Sequence, residues 1–167
     1  MGIYTLTSMA QFYGTGQAQI IKDPSDPFGP RFYNWETMEF QDTPPSDVQL
    51  GKEVGFYVIG QNISSSTLRL RLEGKVIGPD GSILSTESNE VDVDPGSFIG
   101  LPNCMAVTFE GGTYKGRAEL YSSGELVDSW EGKIGTVPGG GIATWPLVVG
   151  GLGVLAAGAI IGMMLKK

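Results

Sequence analysis

Hydrophobic and polar residues alternate through the middle of the chain, from about residue 48 to residue 137. The clearest alternation lies in residues 68–72, where three leucines are separated by two arginines. A period of two places the leucines on one face of an extended chain and predicts a half-buried β-strand. The same alternation recurs in residues 54–58, 91–94, 105–109 and 114–120.

Turn-forming residues separate these runs and predict where each strand ends. Proline and glycine, with aspartate and serine, favour tight turns because of their restricted or left-handed backbone conformations. The turn signals are Pro79-Asp80-Gly81, Pro95-Gly96, Gly111-Gly112 and Ser122-Ser123-Gly124. Strands at this spacing, with no helical periodicity before the C-terminal segment, predict a mainly β chain with an antiparallel sandwich over residues 46–137.

Three stretches of this region resemble the immunoglobulin-like β-sandwiches, in particular the CARDB-type or fibronectin-like modules of prokaryotic and viral surfaces. The stretches are VGFYVIGQN, VDVDPGS and GGTYKGRAELYSSGELVDSW. The resemblance implies that the Gly112-Thr113-Tyr114 step forms a corner that ties down the strand that follows it. The disulfide pair and core tryptophan of antibody domains are missing, so the resemblance implies a module of this general class and no particular activity.

Residues 1–45 form a different zone, rich in proline and aromatic residues. Proline disfavours long helices and favours extended or turning backbone, which predicts an extended N-terminal arm. The aromatic residues of such an arm need a packing surface, supplied either by its own sandwich or by a neighbouring subunit. The candidate contact residues are Phe28, Phe32, Tyr33 and Trp35.

The C-terminal segment, residues 146–165, contains no charged residue over about 20 positions. This is the length that a helix needs to cross a bilayer core of roughly 30 Å. Trp145 before the segment and Lys166 and Lys167 after it suit the two membrane interfaces. Residues 146–167 are therefore predicted to be one transmembrane helix with a basic end, joined to the sandwich by a glycine-rich linker at residues 138–145.

Small residues recur along one side of this predicted helix. Close packing of small residues is a principal source of helix association in lipid. The candidate helix-packing residues are Gly151, Gly153, Ala157, Gly158 and Gly162, of which Gly158 and Gly162 form a GxxxG pair. The pattern predicts self-association or packing on a partner helix, although glycine is also frequent in transmembrane helices generally.

Charge and composition exclude several classes of function. All 18 acidic residues precede the apolar segment, and the net charge of the 167-residue chain is −7. This acidity disfavours nucleic-acid binding by the sandwich. The chain has no histidine and a single cysteine, Cys104. The commonest general base is therefore absent, no intramolecular disulfide can form, and Cys104 is expected to be a small buried side chain.

Few of the remaining residues are candidates for a catalytic, metal-binding or modification site, and no cofactor or metal is expected. Asp92 and Asp94 share one strand face, where they could hold a hard cation, but a solvated strand face explains them better. Asp23 and Asp26 flank prolines and are expected to cap turns. Asn62 begins a glycosylation sequon that is expected to be a chance occurrence.

These features favour a non-enzymatic structural protein, present in many copies and anchored in a membrane by its C-terminus. The N-terminus does not resemble a signal peptide, so a domain made in the cytoplasm and retained on the capsid side of an internal virion membrane would fit. A virion capsid, membrane or spike protein and an envelope lattice component are the expected forms. The alternative is a cell-surface adhesion or ligand-binding module that displays its loops away from the membrane.

Overall fold

A computed structural model describes residues 17–142, although for residues 140–142 it describes the backbone alone. The regular structure of this range consists of antiparallel strands. No residue in this range is helical. The strands are β1 (Ala18–Ile20), β2 (Arg31–Asn34), β3 (Glu39–Gln41), β4 (Glu53–Tyr57), β5 (Ile59–Asn62), β6 (Leu68–Ile77), β7 (Ile83–Val93), β8 (Phe98–Gly100), β9 (Cys104–Val107), β10 (Glu110–Ser122) and β11 (Glu125–Ile142). The mainly β, antiparallel character predicted from the alternation is confirmed.

The four long strands form one layer in the order β11-β10-β6-β7. Leu70 and Leu72 of β6 are fully buried, whereas the arginines between and beside them face outward, as the alternation predicted. β10 repeats this pattern with Tyr114, Ala118 and Leu120 on the buried side. One face of this sheet therefore forms half of the core.

Two shorter sheets, β1-β5-β8 and β3-β2-β4-β9, form the second layer. The two are joined because β4 runs into β5 with the same alternation, so that Val54, Phe56 and Val58 are all fully buried. The amide of Leu101 donates to the carbonyl of Val58 at 3.0 Å, which continues the pairing across the junction. The molecule is thus a two-layer β-sandwich.

The layers approach closely where a glycine of one sheet faces an aromatic ring of the other. A Cβ atom on Gly116 of β10 would lie 2.7 Å from the ring of Phe56 and 2.8 Å from Ile134 Cγ2. Glycine at this position therefore lets the phenylalanine occupy the centre of the core. The largest fully buried side chains around it are Tyr114, Leu70, Leu72, Ile99, Leu120 and Ile134.

The described part of the segment predicted as an arm belongs to the second layer. β1 pairs with β5, β2 pairs with β4, and β3 pairs with β2. Phe32 is buried in the core, and its ring lies 6.3 Å from that of Trp130 on β11. The chain after β3 stays attached as well, because Thr136 accepts from the amide of Val48 and donates to the carbonyl of Pro45, both at 3.0 Å. Residue 45 therefore does not separate an arm from the sandwich.

Three local expectations differ from the structure. On β9 the buried side chain is Cys104, followed by buried Thr108, while Val107 is exposed, so the inward face is opposite to the one predicted from the apolar residues. Gly112, predicted in a turn, lies in β10 at a register shift and has a φ of 133°. The predicted linker begins inside β11, which extends to Ile142 and pairs there with Glu110.

Candidate interaction surface

The outer side of the long-strand sheet is a charged face, defined here by Arg69, Arg71, Glu73, Lys75, Arg117, Glu119 and Glu131. Lys75 Nζ lies 2.7 Å from Glu119 Oε2 and 3.0 Å from Glu73 Oε1. The hydrogen bond between Lys75 and Glu119 raises the pKa of the lysine and lowers that of the glutamate. At the neighbouring edge strand, Arg117 forms a 2.8 Å ion pair with Glu131. Mutually paired charges of this kind suit a surface in contact with water.

Part of the outer side of the second layer, on the sheet β3-β2-β4-β9, is aromatic and apolar by contrast. Tyr33 of β2 lies opposite Phe40 of β3, with ring centroids 5.6 Å apart. The ring of Phe40 in turn lies 5.0 Å from that of Tyr57 on β4. The three rings meet edge to face, a favourable arrangement for aromatic pairs. All three side chains are half-buried and point away from the core.

Met105 and Val107 of β9 extend this cluster to the edge of the sheet. Met105 is the register partner of Gly55 and covers it, since a Cβ atom on Gly55 would collide with Met105 Cγ. Val107 is 52% exposed. Tyr33, Phe40, Tyr57, Met105 and Val107 are called the aromatic face below. Exposed apolar clusters that span several strands are typical of interaction sites.

A second aromatic pair lies at the other end of the same layer. Phe28 stacks on Phe98 of β8 with ring centroids 4.9 Å apart, and the two side chains are 47% and 44% exposed. Phe28 is held by a loop at residues 23–30 that folds around one guanidinium. Arg31 donates to the backbone carbonyls of five loop residues at 3.0–3.3 Å. The loop is therefore fixed by polar contacts within the chain.

The two aspartates of this loop cap turns, as expected from the flanking prolines. Asp23 Oδ1 accepts from the amide of Ser25 at 2.9 Å and from its hydroxyl at 2.7 Å, and these bonds lower the pKa of Asp23. Asp26 Oδ1 accepts from the amide of Phe28 at 2.8 Å. Both side chains thus stabilise the conformation that presents Phe28.

Of the four aromatic residues predicted to make arm contacts, two face the core and two face outward. Phe32 is buried, and Trp35 packs against the core with Lys52 Nζ 5.9 Å from its ring centroid. Tyr33 belongs to the aromatic face, and Phe28 belongs to the aromatic pair. The four predicted contact residues therefore do not act as one group, because two of them contribute to the core and two lie on the outer surface.

The polar candidates for chemistry have structural roles. Asp92 Oδ1 lies 3.3 Å from Arg69 Nη1, and Asp94 Oδ1 accepts from the hydroxyl of Thr67 at 2.8 Å, in agreement with a solvated strand face. Within residues 17–142 no three acidic or cysteine side chains group closely enough to hold a metal ion. Burial raises the pKa of the Cys104 thiol to about 11, which keeps this cysteine in the unreactive thiol form.

The sequon asparagine is an internal structural residue. Asn62 is fully buried, and its Nδ2 donates to the carbonyls of Ser66 and Val93, both at 2.8 Å. Its Oδ1 accepts from the amide and the hydroxyl of Ser64 at 2.9 and 2.7 Å. In the folded domain a glycan has no access to this nitrogen, so the sequence match is a by-product of a turn.

The predicted membrane and helix-packing residues lie outside the described range. They are Trp145, Gly151, Gly153, Ala157, Gly158, Gly162, Lys166 and Lys167. Among residues 17–142, no helix combines the length and apolar character needed to span a bilayer.

The aromatic face was missed by the sequence analysis, although a signal for it exists. β2 and β4 each contain a consecutive phenylalanine and tyrosine, Phe32-Tyr33 and Phe56-Tyr57. Adjacent residues of a strand point to opposite faces, so one aromatic of each pair must face outward once the other is buried. Only the register, with Phe32 opposite Phe56, shows that the two tyrosine positions lie on one surface.

Comparison with known proteins supports the fold alone. No family model and no curated protein matches the chain. A β-glucuronidase of glycoside hydrolase family 2 is similar over 70% of this chain and 12% of its own, with 13% identity and a TM-score of 0.51. A putative β-galactosidase from Bacteroides fragilis is similar over 72% of this chain and 18% of its own, with 18% identity and a TM-score of 0.53.

The described chain therefore belongs to the class of antiparallel β-sandwich domains, with structural neighbours in glycoside hydrolase family 2 proteins. It spans less than a fifth of the length of these two enzymes. A likeness over so small a part, at such low identity, concerns a sandwich domain and carries no information about catalysis.

Proposed function

We propose that the protein is a non-enzymatic structural component of a multi-copy assembly, anchored in a membrane by residues 146–165, whose sandwich meets neighbouring copies through the aromatic face. The sandwich is assigned to the immunoglobulin-like class because of its two antiparallel layers and its tyrosine corner at Tyr114. A capsid-to-membrane layer, a spike or an envelope lattice would each use a module of this type.

The observation that carries the proposal is the contrast between the two outer sides of the sandwich. The charged face is covered by mutually paired side chains, with Lys75 held between Glu73 and Glu119. The aromatic face has three clustered rings, a methionine and an exposed valine in the corresponding position on the opposite layer. Interface cores are enriched in tyrosine, phenylalanine and methionine and depleted of charge, which distinguishes the second surface from the first.

A second copy of the chain fits this surface better than a charged partner does. Among the described residues, the register partners of the aromatic face include two charged side chains, Arg31 opposite Tyr57 and Glu53 opposite Val107. The Arg31 guanidinium is already engaged by the carbonyls of its loop. Little charge therefore remains to attract an oppositely charged surface, and another aromatic face supplies matching apolar chemistry.

The anchor is supported by the uncharged run of residues 146–165, with Trp145 and the two terminal lysines beside it. An anchor concentrates the sandwiches in two dimensions, so even weak contacts between faces produce association. The small residues Gly158 and Gly162 would add a contact between helices within the bilayer.

Site-specific photo-crosslinking of the full-length protein in lipid vesicles tests the role of the aromatic face. A photoreactive amino acid at Val107 on that face should yield crosslinked dimers, and the same amino acid at Glu131 on the charged face should yield few. Tyr57→Ser should reduce the Val107 crosslink at least fivefold, whereas Tyr121→Ser, a half-buried outer tyrosine on the charged side, should leave it unchanged. Equal crosslinking from both faces, or none from Val107, would overturn the proposal and favour a surface binding module.

A further inference from the structure

The long-strand sheet ends in two edge strands that differ in how much of their backbone is covered. At the β11 edge, the amide of Thr136 donates to the carbonyl of Pro45, and its carbonyl accepts from the amide of Val48, both at 3.0 Å. Farther along this edge, Asp128 Oδ2 accepts from the amide of Ile20 at 2.8 Å. At the opposite edge β7 pairs with β6, and within residues 17–142 no strand pairs with its other side.

The uncovered edge is also a long one. β7 has 11 residues, whereas the edge strands of the two shorter sheets, β1, β8, β3 and β9, have three or four. Edge strands are commonly kept from pairing with other chains by shortness, proline or lysine, and β7 contains neither proline nor lysine. Residues 86–92 are exposed apart from the half-buried Asn89 and are called the open edge below. The open edge is a template for another strand.

One side chain of the open edge leaves room for an apolar contact. Val91 lies opposite Leu70 in the register, on the inward face of the sheet, yet Val91 is 38% exposed while Leu70 is fully buried. A residue of an added strand that lay beside Val91 on this face would cover the exposed part of its side chain. Burial of apolar surface favours an apolar residue at that position of the partner.

The charged residues of β7 are all acidic, namely Glu87, Glu90 and Asp92. Arg69 is shared between two of them, with its Nε 3.6 Å from Glu90 Oε2 and its Nη1 3.3 Å from Asp92 Oδ1. Among the described residues, Glu87 forms no ion pair. One arginine therefore serves three carboxylates, and the open edge keeps an excess of negative charge.

We propose that the open edge binds an extended basic segment of a different protein as an additional strand. Glu90 and Asp92 point to the outer face, where they lie opposite Arg71 and Arg69 of β6. Lysine or arginine directly opposite these two carboxylates, on the other side of β7, would form favourable cross-strand pairs. The residue between the two basic positions points inward and covers Val91. The fitting segment therefore alternates basic and apolar residues.

Charge disfavours a second copy of the chain at this edge. Pairing two β7 strands would bring six carboxylates together, three from each copy, and like charges on neighbouring strands are destabilising. β6 has a matching alternation of leucine and arginine, but it is already paired with β7 and β10. A different protein is therefore the occupant that the charges select. The inference is independent of the aromatic face, because β7 and that face belong to different layers.

Peptide binding to the full-length protein in phosphatidylcholine vesicles tests the inference. The probe is a labelled heptapeptide with blocked ends in which four lysines alternate with three valines. Glu90→Gln with Asp92→Asn removes both carboxylates of the outer face and should weaken binding of the probe about tenfold. Glu125→Gln with Glu131→Gln, two exposed positions of β11, makes the same change in net charge and should leave binding as in the wild type.

Two control peptides distinguish strand addition from attraction between charges. One has the same composition in blocks, four lysines followed by three valines, and cannot place its charges and apolar residues on opposite faces. The other is the probe with N-methyl groups on the alternate amides that would face β7, which removes their hydrogen-bond donors. Both should bind about tenfold more weakly than the probe or worse. The bound probe should also slow amide exchange at the open edge and leave exchange in β10 unchanged.

Four results would overturn the inference. They are absence of binding by the probe, equal binding of either control peptide, unchanged binding by Glu90→Gln with Asp92→Asn, and protection of consecutive amides at the open edge in the free protein. Adjacent amides of a strand point to opposite sides, so protection of consecutive amides without the probe would mean that another segment already occupies this edge.

Discussion

The hydroxyl of Tyr114 donates to the backbone carbonyl of Glu110, four residues earlier, at 2.9 Å. The same oxygen accepts from the amides of Glu110 and Phe109 at 3.1 and 3.0 Å. The ring is fully buried, so these three hydrogen bonds fix the start of β10 to the chain that arrives from β9. The tyrosine corner implied by the resemblance to immunoglobulin-like sandwiches is present.

Removal of this hydroxyl should destabilise the sandwich. Tyr114→Phe keeps the buried ring but leaves two amides and a carbonyl without their partner, which should lower the free energy of unfolding by about 1–3 kcal/mol. Urea denaturation of the full-length protein in detergent measures the loss. Tyr121→Phe, whose hydroxyl donates to Glu119 at the surface, is the matched control and should change stability by less than about 0.5 kcal/mol. Equal effects of the two variants would contradict the role of the corner.

The close approach of the layers at Gly116 predicts a second stability effect. Gly116→Ala inserts a methyl group against Phe56 and Ile134 and should cost about 1–3 kcal/mol through overpacking. Gly100→Ala, at a strand position with no atom within 4 Å of the new methyl group, should be nearly neutral. Thermal unfolding of both variants provides the comparison. If Gly116→Ala had the same midpoint of thermal unfolding as the wild type, the core would have room for the methyl group and the prediction would be wrong.

The ion pair at the centre of the charged face predicts a dependence of stability on pH. The lowered pKa of Glu119 means that its contribution is complete above its unfolded pKa of about 4.3 and is lost as the pH falls through the folded value. The raised pKa of Lys75 means that its contribution is complete below about pH 10.4 and is lost as the pH rises through the folded value.

Glu119→Gln measures this contribution. At pH 7 it should reduce the free energy of unfolding by about 1 kcal/mol, and the difference from the wild type should shrink below pH 4. Glu125→Gln, at the exposed first residue of β11, is the control. A difference between Glu119→Gln and the wild type that is constant from pH 3 to pH 7 would show that the effect does not arise from the carboxylate charge.

The glycine pair in the predicted membrane helix gives a prediction within the bilayer. Gly158→Ile with Gly162→Ile would keep helices apart and should weaken association while leaving membrane insertion intact. Energy transfer between labelled copies in vesicles measures association, and resistance to carbonate extraction measures insertion. Val154→Ile with Val148→Ile adds bulk at positions that are not glycine and should have little effect. Unchanged association in the double glycine variant would remove the argument for helix packing.

The long strands β6 and β10 could be predicted because each carries enough alternating positions to identify its buried face. Leu70 and Leu72 are fully buried, as are Tyr114 and Leu120, where the period of two placed them. The corner at Tyr114 could be expected because its contacts are local in sequence. In these cases the residues that determine the structure lie within a few positions of one another.

The remaining features depend on contacts between distant residues. β1 has only three residues, and its place in the sandwich comes from pairing with β5 about 40 positions later. β9 turns Cys104 inward because Cys104 is opposite Phe56 in the register, although Val107 is the more apolar candidate. The glycines at residues 139–141 suggest a linker, yet β10 provides a partner for the strand that contains them. None of these pairings is encoded in a local pattern.

The aromatic face, too, could be predicted only in part from local sequence. The two Phe-Tyr pairs indicate outward aromatic residues, but the distance between them in sequence is 24 positions. Phe40 lies on a third strand and contacts both tyrosines only because β3 folds back on β2. The surface therefore becomes visible once the register is known.

The native mass of the full-length protein, extracted gently from its source membrane or particles after mild crosslinking, tests the central claim most directly. The account predicts a defined oligomer, or a complex with other structural proteins of the same assembly, that dissociates when Tyr57 and Phe40 are both replaced by serine. A monomer in the wild type, alone in its membrane under conditions that preserve other complexes, would contradict it.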